Sequence, residues 1–582
     1  MSFRFDLTPA DVPVPVVPVP GARAALHAWL AEGWQAAGLP GGLPSGGWQA
    51  CPVPQADLTH AGALRAAKVL RQHPRVLAQA WADALPSHPH VQGVCVVGPG
   101  HLNLQLSDTG WKALLADPGP FESPSHQEPL LIEFVSANPT GPLHLGHARQ
   151  AVLGDTLARL LRHAGHTVGT EFYTNDAGVQ VDWLVQSVAL RMHALQGVPL
   201  VFARDTPEGE PLPQLPPGGC YFPRKGYHGN DIVALAHAAR AAGLDGHPCA
   251  TLKTFAIDFM SQNQRATLAQ LRVDFDGLAS EQALHASGQV QATVADLLPH
   301  AYRATHARQE ADPEDAAAQP AWFLDTVSFG DQKDRVMVKA DGSVPYFVPD
   351  VAYHKNKWAR GWAQALNIQG SDHHGTLARV QAGVQWLGLP ANYPQALFHT
   401  MVSVIKDGVP VVASKREGTA IPAQALMDEI GVDAFRMAML DKSPETPLTV
   451  DVDTWTSEGL ANPVYAVQYA STRLGSLLTR CQAEAQGTAS APVWCPAERS
   501  LAKAVVMWAD RIQQAAEAHD PVRLAHGVRD LASAVHAAYQ QAPRLLDLDA
   551  SSRALRVPLF TAAKQAMDLG HHLLGLAVRE RM

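Results

Sequence analysis

The stretch that most limits what this chain can be spans residues 130–154, LLIEFVSANPTGPLHLGHARQAVLG. It opens as a short apolar run, as a parallel strand covered on both faces requires. It turns through Asn138, Pro139, Gly141 and Pro142. From about Leu143 it continues as a helix with Leu153, Leu157, Leu160 and Leu161 on one face. Gly165 is a natural stop for that helix. A second strand and turn, HTVGTEFYTNDAG, and a second helix, VQVDWLVQSVALRMHAL, follow. Strand–helix–strand–helix at this spacing is a βαβ pattern and implies a parallel sheet.

The turn carries chemistry. His144 and His147 flank Leu145 and Gly146 where the helix begins. A helix N-terminus leaves backbone N–H groups unpaired and carries partial positive charge, so it is an anion site. Histidine donors there can bond phosphate oxygens and follow the charge that builds as an α-phosphate is attacked and pyrophosphate leaves. Preorganised donors of this kind are worth about 10²–10³-fold in rate each. Gly146, lacking a Cβ, lets a flat adenine ring lie against the backbone. HxGH alone is weak, because a helix surface can carry it by chance. After a buried strand and an Asn-Pro-Thr-Gly-Pro turn it is much stronger. Glu133 is the one charge in the strand, and a buried charge costs several kcal/mol unless paired. A cationic ligand satisfies it, and so does a salt bridge to a protein arginine.

At 582 residues the chain exceeds one core, and 47% hydrophobic with 17% charged residues is a soluble composition. No apolar run reaches the roughly 18 residues of a membrane span, and MSFRFDLTPADVPVP lacks a signal-peptide layout. The expected location is the cytoplasm. Six scattered cysteines (Cys51, Cys95, Cys220, Cys249, Cys481, Cys495) form no CxxC pair, so no zinc site is expected. A net charge of −9 does not advertise nucleic-acid binding, although basic residues gathered on one face would escape that sum.

The organisation reads as three parts. Residues 1–125 are α+β: a proline-valine lead-in, a helix from Ala22, a helical stretch from Leu58 interrupted at Pro74, and a hairpin around Gly98-Pro99-Gly100. Residues 126–445 hold the βα pattern, with a proline/glycine loop and a mainly helical insertion near 205–320. Residues 446–582 show helical apolar periodicity throughout, with equal numbers of basic and acidic residues. The fold class is α/β, with a Rossmann-like nucleotide-binding domain, an N-terminal α+β domain and a C-terminal all-α helical bundle.

Residues 133–147 resemble the signature of class I aminoacyl-tRNA synthetases, in the form typical of arginyl-tRNA synthetase. FYTNDAGVQ (172–180), DGSVPYFVPDVAYHKNK (341–357), QGSDHHG (369–375), MVSVIKDG (401–408), ANPVYAVQYA (461–470) and the terminal LGLAVRERM resemble that family in the same order. ADLTHAGALRAAKVLRQHP with GPGHLNLQLS looks like its additional, tRNA-contacting N-terminal domain. The resemblance implies an arginine–tRNA ligase that uses ATP with Mg²⁺, binds tRNA(Arg) and works as a monomer. It implies a second ATP loop, written KMSK in the family and here Val412-Ala413-Ser414-Lys415, followed by Arg416. The first lysine is replaced by Val412, and no lysine stands between Glu133 and His144 to substitute for it. Lys415, with Lys406 or Arg416, then carries the charge opposite pyrophosphate.

Catalytic roles thus fall to His144, His147 and Lys415, and ATP contacts to Pro142, Leu143, His144, Gly146, His147, Ser414, Lys415 and Arg416. A guanidinium is planar, always charged and recognised by carboxylates in fork geometry. By resemblance the arginine pocket comprises Glu133, Ser136, Asn138, Tyr346, Asp350 and His373, the last with its neighbour Asp372. Asn175 and Asp176 sit at a strand end where ligands bind in open α/β sheets, and capping a turn would explain them equally. Tyr465, Tyr469 and Arg473 share a helical face and would contact tRNA, where aromatics stack on splayed bases; a core stripe is the alternative. Two other readings remain: a class I synthetase for another amino acid, and a non-catalytic RNA- or nucleotide-binding relative with a decayed lysine loop, which Val412 favours.

Overall fold

The computed structural model describes every residue except 1–5, 14–20, 53–55, 123–127, 177, 207–209, 245–247, 310–318, 412–420, 482–493 and 582. The chain divides into two compact units. One holds residues 1–14, 128–158 and 167–453; the other holds 15–127, 159–166 and 454–582.

The first unit is built on a five-stranded parallel sheet. Its strands are β1 (Leu130–Glu133), β2 (Val168–Thr174), β3 (Gly277–Ser280), β4 (Gln364–Gly370) and β5 (Gln395–His399), in the order β5-β4-β1-β2-β3. All four residues of β1 are buried, as its unbroken apolar run requires. Helix α1 (Leu145–His163) follows the signature turn. Leu153, Leu157, Leu160 and Leu161 are each 0% exposed, so the face read from their spacing is the packed one. Gly154 lets α1 close onto the strand: a Cβ there would stand 2.3 Å from the Phe134 ring. Helices α2 (Val179–Ala194) and α3 (Ala250–Gln270) lie between β2 and β3, and α4 (Phe347–Ala359) and α5 (His374–Trp386) flank β4.

The mainly helical stretch is therefore not wholly an insertion. Its residues 277–280 form the edge strand β3, paired with β2 from Glu171↔Gly277 to Thr174↔Ser280. That strand is four residues long, too short to show a period of its own. The chain leaves β1 towards β2 and β3, then returns to lay β4 and β5 on the other side. The crevice between the C-terminal ends of β1 and β4 is thus the switch point where such sheets bind ligands.

The second unit joins the N-terminal segment to the C-terminal helices. A four-stranded antiparallel sheet runs Trp48–Ala50, Leu58–His60, His101–Leu106, Val91–Val97 in spatial order. Leu58–His60, expected to open a helix, is a strand instead, and the helix begins at Gly62. All three of its residues are buried between two neighbours, and ladder bonds to Trp48–Ala50 and to 102–104 outweigh local helix preference. Among the described residues, five helices of ten or more residues make up most of the C-terminal part, among them α6 (Pro463–Cys481) and α7 (Pro521–Gln541). Fully buried Asp57 accepts from the Leu106 N–H at 2.9 Å and pairs with Arg499 at 2.7 Å. Lys503 donates to the carbonyls of Cys51 and Ala56, and Asp510 accepts the Phe121 N–H.

Candidate active site

The residues that follow β1 are strained in a useful way. Val135 and Ser136 adopt left-handed backbone, φ 72° and 41°. For a β-branched residue this is a genuine outlier, of the kind that clusters at binding sites. The kink turns Ser136 back on its own strand. Its hydroxyl donates to Glu133 Oε1 at 2.9 Å and accepts the Tyr173 N–H at 3.3 Å.

A cavity of about 200 Å³ opens there. Glu133, Ser136, Asn138, Asp350 and His373 line it, as do Tyr173, Asn175 and Tyr353. Five of the six residues assigned to an arginine pocket thus converge. The sixth, Tyr346, does not line the cavity; it is 60% exposed beside Gly178, whose added Cβ would come within 3.5 Å of the Tyr346 hydroxyl. It is the N-cap residue of α4, one turn before Asp350 in the same helix.

The wall of the cavity is acidic. Glu133 is paired, to a lysine rather than to an arginine: Lys357 Nζ lies 2.6 Å from Glu133 Oε2. Lys357 is 0% exposed, also donates to Asn367 Oδ1 at 3.2 Å, and sits 4.2 Å over the Tyr353 ring. Among the described residues Asp350 has no such ion pair. Burial pushes its carboxyl up to about 7, with Glu133 and Glu281 adding to the shift and Lys357 and Arg379 opposing it. Burial also raises Glu281, which accepts from the Tyr173 hydroxyl at 3.3 Å. Glu133 and Asp350 thus share the cavity wall beside the buried cation of Lys357.

Asn175 and Asp176 separate. Asn175 lines the cavity, and among the described residues its buried Oδ1 has no hydrogen-bond partner. Asp176 holds β3 instead, accepting from Ser280 Oγ at 2.7 Å and from the Gln282 N–H at 3.0 Å. His373 reaches Asp372 at 3.6 Å, and both are exposed. Asn138 donates to Gln180 Oε1 at 2.5 Å. Tyr173, Tyr353 and Lys357 are not among the residues singled out from the sequence, although all three fall within FYTNDAGVQ and DGSVPYFVPDVAYHKNK, stretches that resemble the family.

The two histidines are fixed by their own helix. His144 Nδ1 accepts the Gly146 N–H at 3.1 Å and the His147 N–H at 3.3 Å, and His147 Nδ1 accepts the His144 N–H at 3.5 Å. The rings stack with centroids 3.7 Å apart. With each Nδ1 an acceptor, the proton of the neutral ring sits on Nε2, so both side chains present N–H donors outward. Burial lowers both, His147 to about 3, and they stay neutral donors at physiological pH. The freedom of Gly146 is used locally, since a Cβ there would stand 2.9 Å from the His144 ring.

Ser414, Lys415 and Arg416, with Val412, lie outside the described residues. The chain leaving that loop is bonded to the turn: Leu145 N–H donates to Ile421 O at 3.2 Å, and Ala423 N–H donates to Leu143 O at 2.8 Å. Lys406 is engaged by Glu429.

In the second unit Tyr465, Tyr469 and Arg473 do share a face of α6. Tyr469 stacks on His536 with centroids 5.8 Å apart, and the Arg473 guanidinium lies 3.6 Å from the centre of the Tyr539 ring and 4.8 Å from that of Tyr469. Arg473, Arg480, Tyr539 and Arg544 line a groove of about 600 Å³.

Known proteins resemble this chain over most of its length. The family description "Arginyl tRNA synthetase N terminal domain" matches residues 54–106, "tRNA synthetases class I (R), catalytic domain" matches 112–195, and "DALR anticodon binding domain" matches 467–582. An arginine–tRNA ligase of Methylibium petroleiphilum is 38% identical over 546 residues, covering 90% of this chain and 93% of that one. One of Bordetella pertussis is 37% identical over 556 residues, with the same coverage. The solved Thermus thermophilus arginyl-tRNA synthetase shares the fold, with a TM-score of 0.71 at 22% identity over 96% of this chain and 100% of that one.

Proposed function

We propose a division of labour from one premise: this chain belongs to the arginyl-tRNA synthetase family and joins arginine to tRNA in an ATP-dependent reaction. The cavity beyond β1 and β4 takes arginine. Its guanidinium meets Asp350 and Glu133, which fork-shaped recognition by carboxylates requires. Asn138 and the unpartnered Oδ1 of Asn175 face its polar groups, and Ser136 holds Glu133 in place.

ATP, entering with Mg²⁺ as part of the substrate, lies along the start of α1. Pro142, Leu143 and Gly146 shape the backbone against it. Arginine's carboxylate attacks the α-phosphate and pyrophosphate departs. The Nε2–H groups of His144 and His147 hold the oxygens on which charge develops, and Lys415 with Ser414 and Arg416 faces the leaving group. The terminal ribose hydroxyl of tRNA(Arg) then takes the arginyl group and releases AMP. No covalent enzyme intermediate is needed. The groove beside Arg473 receives tRNA, with Tyr465, Tyr469 and Tyr539 offering faces to unstacked bases. The protein works as a monomer in the cytoplasm.

The observation that carries the pocket assignment is the pair of carboxyl groups, Glu133 and Asp350, in the wall of one cavity, where a guanidinium can meet both. The test is ATP–pyrophosphate exchange with each amino acid, with and without tRNA. Exchange with arginine alone supports the assignment; exchange with a neutral amino acid at comparable efficiency would overturn it.

A further inference from the structure

The signature turn is held from outside its own segment. Gln264 lies in the body of α3, well away from β1 in sequence, and is 4% exposed. Its Nε2 donates to Asn138 O at 2.9 Å and to Gly141 O at 2.8 Å. These two carbonyls bracket the turn between the strand and the histidine helix. Asn138 O also accepts the Thr140 N–H at 2.8 Å. One buried amide thus spends both of its protons on two backbone oxygens that belong to the site.

The geometry points to Gln264 as a positioning residue for arginine: it clamps the turn so that Asn138 faces the cavity. A primary amide suits this task, because it carries two N–H donors in fixed geometry. A carboxylate of the same shape offers none and repels both carbonyls. The rest of the turn has other supports. His144 and His147 are bonded to their own backbone, and Leu143 and Leu145 are tied to residues 421–423. Loss of the clamp therefore falls on the Asn138 end, where arginine binds, more than on the phosphate end. Gln264 acts through the turn and touches no substrate. The proposal rests on the reading of Asn138 as an arginine contact.

Two variants of the whole protein test it by steady-state pyrophosphate exchange at saturating tRNA. Gln264→Glu at pH 8 raises the arginine KM about tenfold, the effect of losing two buried hydrogen bonds, and shifts the ATP KM about twofold or less. A protonated carboxylic acid regains one O–H donor, and burial between carbonyls favours that form. The ratio of variant to wild-type arginine KM therefore falls towards one between pH 8 and pH 6, while titrations common to both proteins cancel. Gln264→Met, of similar length and without a donor, raises the arginine KM at both pH values with no such recovery. An arginine KM within twofold of wild type in both variants overturns the clamp. So does a defect in either variant that strikes arginine and ATP equally. Asn138→Ala separates the two layers. A normal arginine KM there removes Asn138 from the pocket. A raised KM there, with normal values in both Gln264 variants, removes only the clamp.

Discussion

Replacing Lys357 by Met is the sharpest probe of the pocket. The ammonium lies 2.6 Å from Glu133 Oε2, and neither side chain is more than 9% exposed. At an effective dielectric of about 20, two unit charges at that distance attract by about 6 kcal/mol, much of which offsets their desolvation. Removing one partner of such a pair leaves a buried charge uncompensated and costs about 3–5 kcal/mol. The variant also loses the donor to Asn367 and the contact with the Tyr353 ring. Denaturant unfolding of the unit that contains the sheet should register a loss of this size. Arginine should then restore more stability to the variant than to the wild type, because its guanidinium replaces the missing cation beside Glu133. A tenfold gain in affinity appears as about 1.4 kcal/mol of extra stabilisation at saturating arginine. The measurement belongs at pH 8.5 or above, since Lys357 also helps to ionise Asp350. A loss under about 1 kcal/mol, or equal stabilisation of both proteins by arginine, would refute the reasoning.

Other outcomes follow from the same geometry. Asp350, raised from 3.8 to about 7, holds its proton in the empty protein where the unfolded chain has lost it, so its ionisation weakens the fold progressively between those pH values. Arginine requires the carboxylate, so its Kd should rise up to about tenfold per unit as pH falls below 7, with proton release on binding visible by calorimetry in two buffers. A Kd that is flat from pH 6 to 8 would take Asp350 out of the guanidinium contact. His144→Ala should slow adenylation about 10²-fold and cost about 1 kcal/mol of stability, because the ring also caps the helix; near-normal turnover would end its phosphate role. Arg473→Ala should raise the tRNA KM about tenfold while leaving the arginine KM at saturating tRNA unchanged. An unaltered tRNA KM would return the Tyr469–Arg473–Tyr539 stack to a purely structural role.

Local pattern carried much of this structure. The strand, turn and helix of residues 130–163 each have a period or a punctuating residue, and the leucines at helical spacing are the buried ones. What escaped has no period. Leu58–His60 is a strand because of its neighbours, and β3 is too short to announce itself. The partner of Glu133 proved to be Lys357, 224 positions away, and the clamp on Asn138 is 126 positions away. Such pairings arise only when the sheet order is known. The fate of Tyr346 was similarly hidden: its position before Asp350 was legible, but the direction of its ring depends on where α4 starts.

The second unit has a consequence for how the protein is made. Asp57 is buried with Arg499 against it, and 442 residues of chain separate them. At about 5–20 residues per second, a ribosome needs roughly 20–90 s to synthesise that interval. Throughout that time the N-terminal sheet exists without its cation, and the surfaces that Lys503 and the Asp510 helix later cover are bare. The nascent N-terminal segment thus completes these contacts only when translation is nearly over. A ribosome stalled before Arg499 would release a polypeptide whose sheet has no partner to close it.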